Sequence, residues 1–258
     1  MESAIIAGTG IYELPGFVFQ PRVIDTPYGQ ALVHIGEKDG FELAFLARHG
    51  LDHTTPPHKI NFLANLKALQ MLGIKRILAT NAVGSINPEI PPTGLAVITD
   101  FLDFTHGRPL SFYDGGKTGL VHTNMEVPYC PALSARICAL APQHGLSVRP
   151  EAVYVATNGP RFETPAEIRM YARLGGDVVG MTGVPEVSLA RELKMHYAAL
   201  AYSINWASGI TKKMEFVSSK MADVRQRMAK LLIQVLQAPF DLDCSCETSL
   251  MVMHPPEE

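Results

Sequence analysis

Short apolar runs alternate along most of the chain with segments of helical periodicity, the pattern of a mixed α/β fold around a largely parallel sheet. "SAIIAGTG" predicts a strand ending in a glycine turn, and "ELAFLARHG" a second strand ending on Arg48, His49 and Gly50. From Pro57 the period changes. Ile60, Leu63, Leu66 and Leu69 recur at helical spacing, and Gly73 stops the helix. "IKRILATNAVGS" reads as a buried strand giving way to a loop at Asn81, and "EAVYVATNGP" repeats that form after a central stretch rich in Pro, Gly and aromatics. Thr164, Pro165 and Glu167 stand in the order of an N-cap, a first-turn proline and a capping-box acid, so a helix starts there. Gly175 closes it, "DVVGMT" is the next strand, Pro185 opens a short helix, and "YAALAYSIN" is the last strand. Met221, Val224, Met228, Leu231, Leu232 and Val235 then mark an amphipathic helix over 219–237. No repeat or linker interrupts the pattern, which predicts a single domain over 1–258 with a polar, poorly ordered tail over 241–258.

Five of these apolar strands deliver small or polar residues at their carboxyl ends: Gly8-Thr9-Gly10, Arg48-His49, Asn81-Ala82, Met181-Thr182 and Asn205. Ligands of open α/β sheets bind outside those ends, so the five clusters are expected to converge. Asn205 is the most telling of them, because a primary amide after a buried run is costly unless the fold or a ligand satisfies it.

Composition narrows the ligand. The chain has 258 residues, 47% hydrophobic and 18% charged, with a formal net charge of -3 and no cationic run longer than a pair. That argues for a folded protein and against a surface for nucleic acid. The start of the sequence has neither a basic leader nor a long apolar run, so neither a signal peptide nor a membrane span is expected and the reading is cytoplasmic. Cys130, Cys138, Cys244 and Cys246 show no CxxC or paired Cys/His spacing, which predicts reduced thiols and no metal site, the Cys244/Cys246 pair reading as incidental, with a redox-active pair as the alternative.

The clusters themselves suit an anion. Gly8-Thr9-Gly10 offers backbone N–H groups and a hydroxyl, although it lacks the features of a Walker loop or a dinucleotide fingerprint and also reads as a plain turn. Arg48 is the side chain best matched to phosphate oxygens and His49 adds a donor, with a surface arginine and a capping histidine as the ordinary alternative. His53 and His58 line the same region or satisfy local backbone groups. Asn81, Ala82 and Thr182 add an amide, an open backbone N–H and a hydroxyl, with no carboxylate cluster to hold Mg²⁺. Glu163, just before the N-cap, serves the helix dipole or accepts from a ligand N–H.

The segments "GTG", "LARHG" with "PPHKINFLANLKAL", "TNAVGS", "RPLSFYDG", "GPRFETPAEI" and "GMTGVPEVSLARE" resemble, in that order over 3–237, the trimeric branch of the purine nucleoside phosphorylase superfamily, and more narrowly its 5'-methylthioadenosine phosphorylase subfamily. The resemblance implies an α/β fold around a mixed, partly barrel-like sheet, a homotrimer, no cofactor, and reversible phosphorolysis of a purine nucleoside. It places phosphate on Thr9, Arg48, His49, Asn81, Ala82 and Thr182, and the sugar against Met181. His122 would reach the neighbouring subunit's site near the sugar 5' group. Helping the base leave would fall to Asn205.

In relatives that cleave 6-aminopurines, aspartates stand at the positions of Asn205 and Ala207, and the methylthioadenosine enzymes have a serine at that of Glu163. A 6-oxopurine presents an O6 acceptor and an N1–H donor, which Asn205 and Glu163 complement; adenine would set its N1 lone pair against the carboxylate. Trp206 and Ala207 follow Asn205 into the expected base pocket, although packing accounts for Trp206 equally well. The "LARHG" and "PPHKINFLANLKAL" stretches favour the methylthio branch, so the expected substrate is S-methyl-5'-thioinosine, with a 5' pocket between Ile210 and Val217. Inosine/guanosine or methylthioadenosine phosphorolysis are the alternatives within the family. A nucleosidase or a non-catalytic nucleoside-binding module has no need of the phosphate set.

Overall fold

The structure is a computed structural model that describes residues 1–8, 10–11, 13–116, 119–217, 221–239 and 243–254. Thr9, a predicted phosphate contact, lies outside them, as does the expected helix start at Ser219. The strands are β1 (Ser3–Ala7), β2 (Val18–Thr26), β3 (Gly29–Lys38), β4 (Phe41–Ala47), β5 (Arg76–Ser85), β6 (Leu95–Ile98) and β7 (Asp100–Asp103). They continue with β8 (Leu120–Thr123), β9 (Val148–Arg149), β10 (Val153–Ala156), β11 (Val178–Gly180), β12 (His196–Trp206) and β13 (Leu250–His254). The helices are α1 (Phe62–Met71), α2 (Pro131–Leu140), α3 (Pro165–Arg173), α4 (Glu186–Glu192) and α5 (Ala222–Gln237).

Among the described residues, eleven strands form one sheet in the order β2-β3-β4-β1-β5-β11-β10-β7, with β12 on β5, then β6 and β9. Its centre is parallel, β4, β1, β5 and β12 running together, but β11 joins β5 antiparallel and β2-β3-β4 form an antiparallel meander. The sheet is therefore mixed, rather than largely parallel as the alternation suggests, because hairpins and the reversed β11 leave the same apolar pattern as parallel crossovers.

Successive side chains of β1 divide between two cores. Ala4 and Ile6 pack in one with residues of α1 and α4, whereas Ile5 and Ala7 pack in the other with residues of α2 and α5. Strands buried on both faces read as continuous apolar runs, which is why β1, β5 and β12 were legible. The apolar stripe of α5 buries Met228, Leu231, Leu232, Val235 and Leu236, each contributing about 1.5–3 kcal/mol relative to exposure. Asn61 caps α1 by accepting from Ala64 N, and the capping box of Thr164 and Glu167 starts α3 as its sequence predicts.

Two expectations change. Asn81 is not at a strand end. β5 runs on to Ser85 because β12 pairs with it from Arg76 to Ser85, past an irregularity between Ser203 and Asn205. Within the tail expected to be poorly ordered, the described residues 243–254 instead bury Cys246 and form β13, which pairs antiparallel with β8. Its polar look hid anchors, among them the Ser249 hydroxyl donating to Arg191 O at 2.7 Å. No helix among the described residues is long and apolar enough to cross a membrane.

Candidate active site

A cavity of about 490 Å³ opens where β1, β4, β5, β11 and β12 meet, and all five predicted clusters contribute to its wall. Gly8, His49, Ala82, Met181, Thr182, Glu163, Asn205 and Ala207 line it. Arg48, Asn81, Trp206 and His122 do not, though Arg48 and Asn81 stand directly behind residues that do.

Arg48 is fully buried. Its Nε and Nη2 donate to the Glu186 carboxylate at 2.6 and 2.7 Å, and Nη1 donates to Thr80 O at 2.8 Å. Tyr197 donates its hydroxyl to the same carboxylate at 2.6 Å. Burial acts to lower the arginine's pKa, but the facing carboxylate more than offsets it and the value is raised. Five guanidinium N–H groups less three in use leave two, on Nη1 and Nη2. A side chain at Gly8 would come within 3.4 Å of Nη1, so glycine there lets the cavity wall lie against the guanidinium.

His49 Nδ1 lies 2.8 Å from Thr55 O, an acceptor only, so Nδ1 carries the proton and Nε2 is the other ring nitrogen's site for a ligand. Burial pushes the pKa below the usual histidine value, with Arg48 and His53 adding to the effect against the Thr55 bond. The His49 and His53 rings stack with centroids 5.0 Å apart, while His58 sits outside the cavity on an exposed turn. Asn81 Nδ2 donates to Thr182 Oγ1 at 3.3 Å, which leaves the Thr182 hydroxyl to donate onward. The amides of Thr182 and Gly183 both donate to the Tyr154 hydroxyl, at 3.1 and 3.2 Å, fixing this turn from below.

Glu163 is buried and its Oε1 accepts from the Thr157 hydroxyl at 2.7 Å. The α3 cap sets its position: Arg161 and the Thr164 backbone hold the Glu167 carboxyl down at about 2. Asn205 Nδ2 donates to Trp206 O at 2.8 Å, so the backbone satisfies one of the amide's two N–H groups. The irregularity in β12 adds a residue before Asn205; such bulges re-aim side chains beside active sites, and both Ile204 and Asn205 reach the cavity. Gly84 makes room, since a Cβ there would meet Val179 at 3.3 Å and Asn205 Nδ2 at 3.4 Å. Trp206 contributes its carbonyl only.

The sequence pattern missed two groups. Glu186 sits in the quoted "GVPEVSLARE", but nothing in the spacing shows that α4 carries it beneath Arg48. Arg108, in "RPLSFYDG", donates to the carbonyls of Asn158 and Met181 at 3.0 and 2.8 Å and to that of Val184. It thereby ties the loop before Glu163 to the loop of Met181 and Thr182. Met214 and Phe216 also line the cavity, inside the stretch expected for the 5' pocket, with the Phe162 ring 5.8 Å from that of Phe216.

The family described as the phosphorylase superfamily matches residues 2–237. The chain belongs to that superfamily. A phosphorylase of Pyrococcus furiosus named 6-oxopurine nucleoside phosphorylase is 42% identical over 257 residues, covering 96% of this chain and 97% of the other. A protein of Methanopyrus kandleri named probable S-methyl-5'-thioinosine phosphorylase is 43% identical over 254 residues, covering 96% and 97%. Among solved structures, methylthioadenosine phosphorylase from Schistosoma mansoni in complex with tubercidin superposes with a TM-score of 0.84 at 30% identity, over 93% of each chain. The phosphorylase fold and enzyme class are thus shared across the length of the chain.

Proposed function

We propose that this phosphorylase cleaves 6-oxopurine nucleosides, S-methyl-5'-thioinosine foremost, giving hypoxanthine and 5-methylthioribose 1-phosphate. The observation that carries the reading is that Glu163, Asn205 and Ala207 line one cavity together with His49, Ala82 and Thr182. Phosphate sits on the last three of these. The Thr182 hydroxyl and the Ala82 N–H donate to its oxygens and His49 Nε2, unprotonated in the neutral ring, accepts from its P–OH, with Thr9 and the two remaining N–H groups of Arg48 completing the set. Held there, it stabilises the positive charge that grows on the sugar and stands ready to attack C1'.

A phosphate oxygen forms the new bond to C1' as the C1'–N9 bond breaks, and that bond's electron pair passes into the purine. N7 takes a proton from solvent. The second N–H of Asn205 donates to O6, its carbonyl accepts from N7–H, and Glu163 accepts from N1–H through the oxygen that Thr157 leaves open. Adenine reverses both edges, and a mismatch of buried polar groups of this kind discriminates by about 10⁴. Met181 packs against the sugar, while Met214 and Phe216 give the 5' methylthio group an apolar seat. In a homotrimer, exposed His122 on β8 would complete a neighbouring subunit's site. The reading needs phosphate and no cofactor, and fits a cytoplasmic salvage enzyme.

The relatives named for 6-oxopurine nucleosides favour a second reading, with an ordinary 5'-hydroxyl. Base release from methylthioinosine, inosine, guanosine and methylthioadenosine, each with and without phosphate, separates the readings. Methylthioinosine is expected to be cleaved fastest, and only with phosphate. Release undiminished without phosphate means hydrolysis, and methylthioadenosine as best substrate overturns the base assignment.

A further inference from the structure

Far apart in sequence, Cys130, His196, Cys244 and Cys246 meet in the fold, their potential ligand atoms all within 4.8 Å of one another. Cys130 immediately precedes α2, His196 is the first residue of β12, and the other two come from the segment between α5 and β13. Cys130 N donates to Tyr197 O at 2.7 Å, which sets the first two ligands side by side on the body of the protein. Cys130, His196 and Cys246 are buried and Cys244 half-buried.

We propose that these four residues form a structural zinc site that clamps the C-terminal segment onto the body of the enzyme. The separations, none beyond 4.8 Å, are close to those of ligands around one ion. Cys130 Sγ lies 3.8 Å from Cys244 Sγ and 3.7 Å from His196 Nδ1, and His196 Nδ1 lies 3.2 Å from Cys244 Sγ. A tetrahedral zinc with ordinary Zn–S and Zn–N lengths sets its ligands about 3.5–3.8 Å apart. Three thiolates and one imidazole are a soft, closed set that suits zinc and leaves no position for substrate, so the role is structural. Glu247 stands close by: its carboxylate is 3.7 Å from His196 Nε2, the ring nitrogen away from Cys130 and Cys244, near enough to take up the partner's role of a carboxylate–histidine–zinc arrangement.

The expectation of incidental cysteines rested on spacing along the chain, and here topology, not spacing, assembles the ligands. The clamp has a structural consequence. From the Cys244/Cys246 turn the chain passes Ser249, whose carbonyl accepts from Asn124 N at 2.7 Å, into β13, where Met251 pairs with His122 of β8. Holding the turn therefore holds the strand that covers β8.

The test is metal analysis of the untagged full chain, purified with a reductant and without chelator. Elemental analysis should find about one zinc per chain, and Cys244→Ser and Cys246→Ser should each lower that at least tenfold. A metal-stripped, reduced wild-type sample titrated with Co²⁺ should show the thiolate charge-transfer and tetrahedral d–d bands, which does not depend on any variant folding. Stripping should also speed proteolytic cleavage within 243–254. Failure of the reduced protein to bind zinc or cobalt would overturn the proposal. So would unchanged zinc in the serine variants, or a denatured non-reduced mass about 2 Da light, the mark of a disulfide among these thiols.

Discussion

At the proposed phosphate end of the cavity most of the polar groups are held by partners from distant elements, Arg48 by Glu186, Asn81 by Thr182 and the Thr182 turn by Tyr154, with His49 on Thr55 the local exception. At the base end the holds are local, with Glu163 on Thr157, six residues away, and Asn205 on the carbonyl of Trp206 next to it. The difference teaches which part of the enzyme is free to change. Anion recognition is bound up with the sheet and its core, so altering it disturbs the fold. On the proposed reading base choice rests on one irregular strand end and one residue before a helix cap, where substitutions are expected to redirect specificity while the fold persists.

The largest expected effect is at the phosphate end. Arg48→Ala leaves Glu186 buried without its cation and should destabilise the protein by about 3–5 kcal/mol in urea unfolding. Pairing Arg48→Met with Glu186→Leu should restore much of that stability without restoring phosphate-dependent turnover. Recovery of both together would place Arg48 outside phosphate binding. At the base end, Asn205→Asp should lower kcat/KM for methylthioinosine about a hundredfold, the loss of a donor to O6 plus a new charge beside it, with little change in Tm. A large drop in Tm would erase the contrast between the two ends.

Smaller effects sharpen it. Phe216→Ala should raise KM for methylthioinosine about tenfold and leave inosine nearly unchanged, as removal of one apolar contact to the 5' group predicts. Equal losses on both nucleosides would move Phe216 away from that group. The smallest effect is a pH dependence. Burial lowers the pKa of both His49 and His34 below the ordinary 6.5. In the window just below 6.5 the unfolded chain then binds more protons than the folded one, so stability rises with pH there and levels off above it. His49→Gln should make that rise shallower in unfolding measured across the window.

Much of this was legible in the sequence because strands buried on both faces, caps and glycine turns leave local marks. β1, β4, α1 and the α3 capping box follow directly from them, the strand-end clusters led to His49, Thr182 and Asn205, and the position before the α3 N-cap led to Glu163. What depends on remote pairing left no such mark. Nothing near Arg48 signals Glu186, nothing near Asn81 shows that β12 extends β5 past it, and the polar residues after Pro239 conceal both β13 and the meeting of Cys244 and Cys246 with His196. Trp206 was drawn into the expected site by adjacency alone, and the structure uses only its carbonyl.

The central claim is that Glu163 and Asn205 read a 6-oxopurine edge. Its most direct test is the ratio of kcat/KM for S-methyl-5'-thioinosine over 5'-methylthioadenosine, two substrates with the same sugar, measured on the unmodified enzyme at saturating phosphate. The account predicts a ratio on the order of 10³ or more in favour of methylthioinosine. A ratio near one, or one favouring methylthioadenosine, would contradict it.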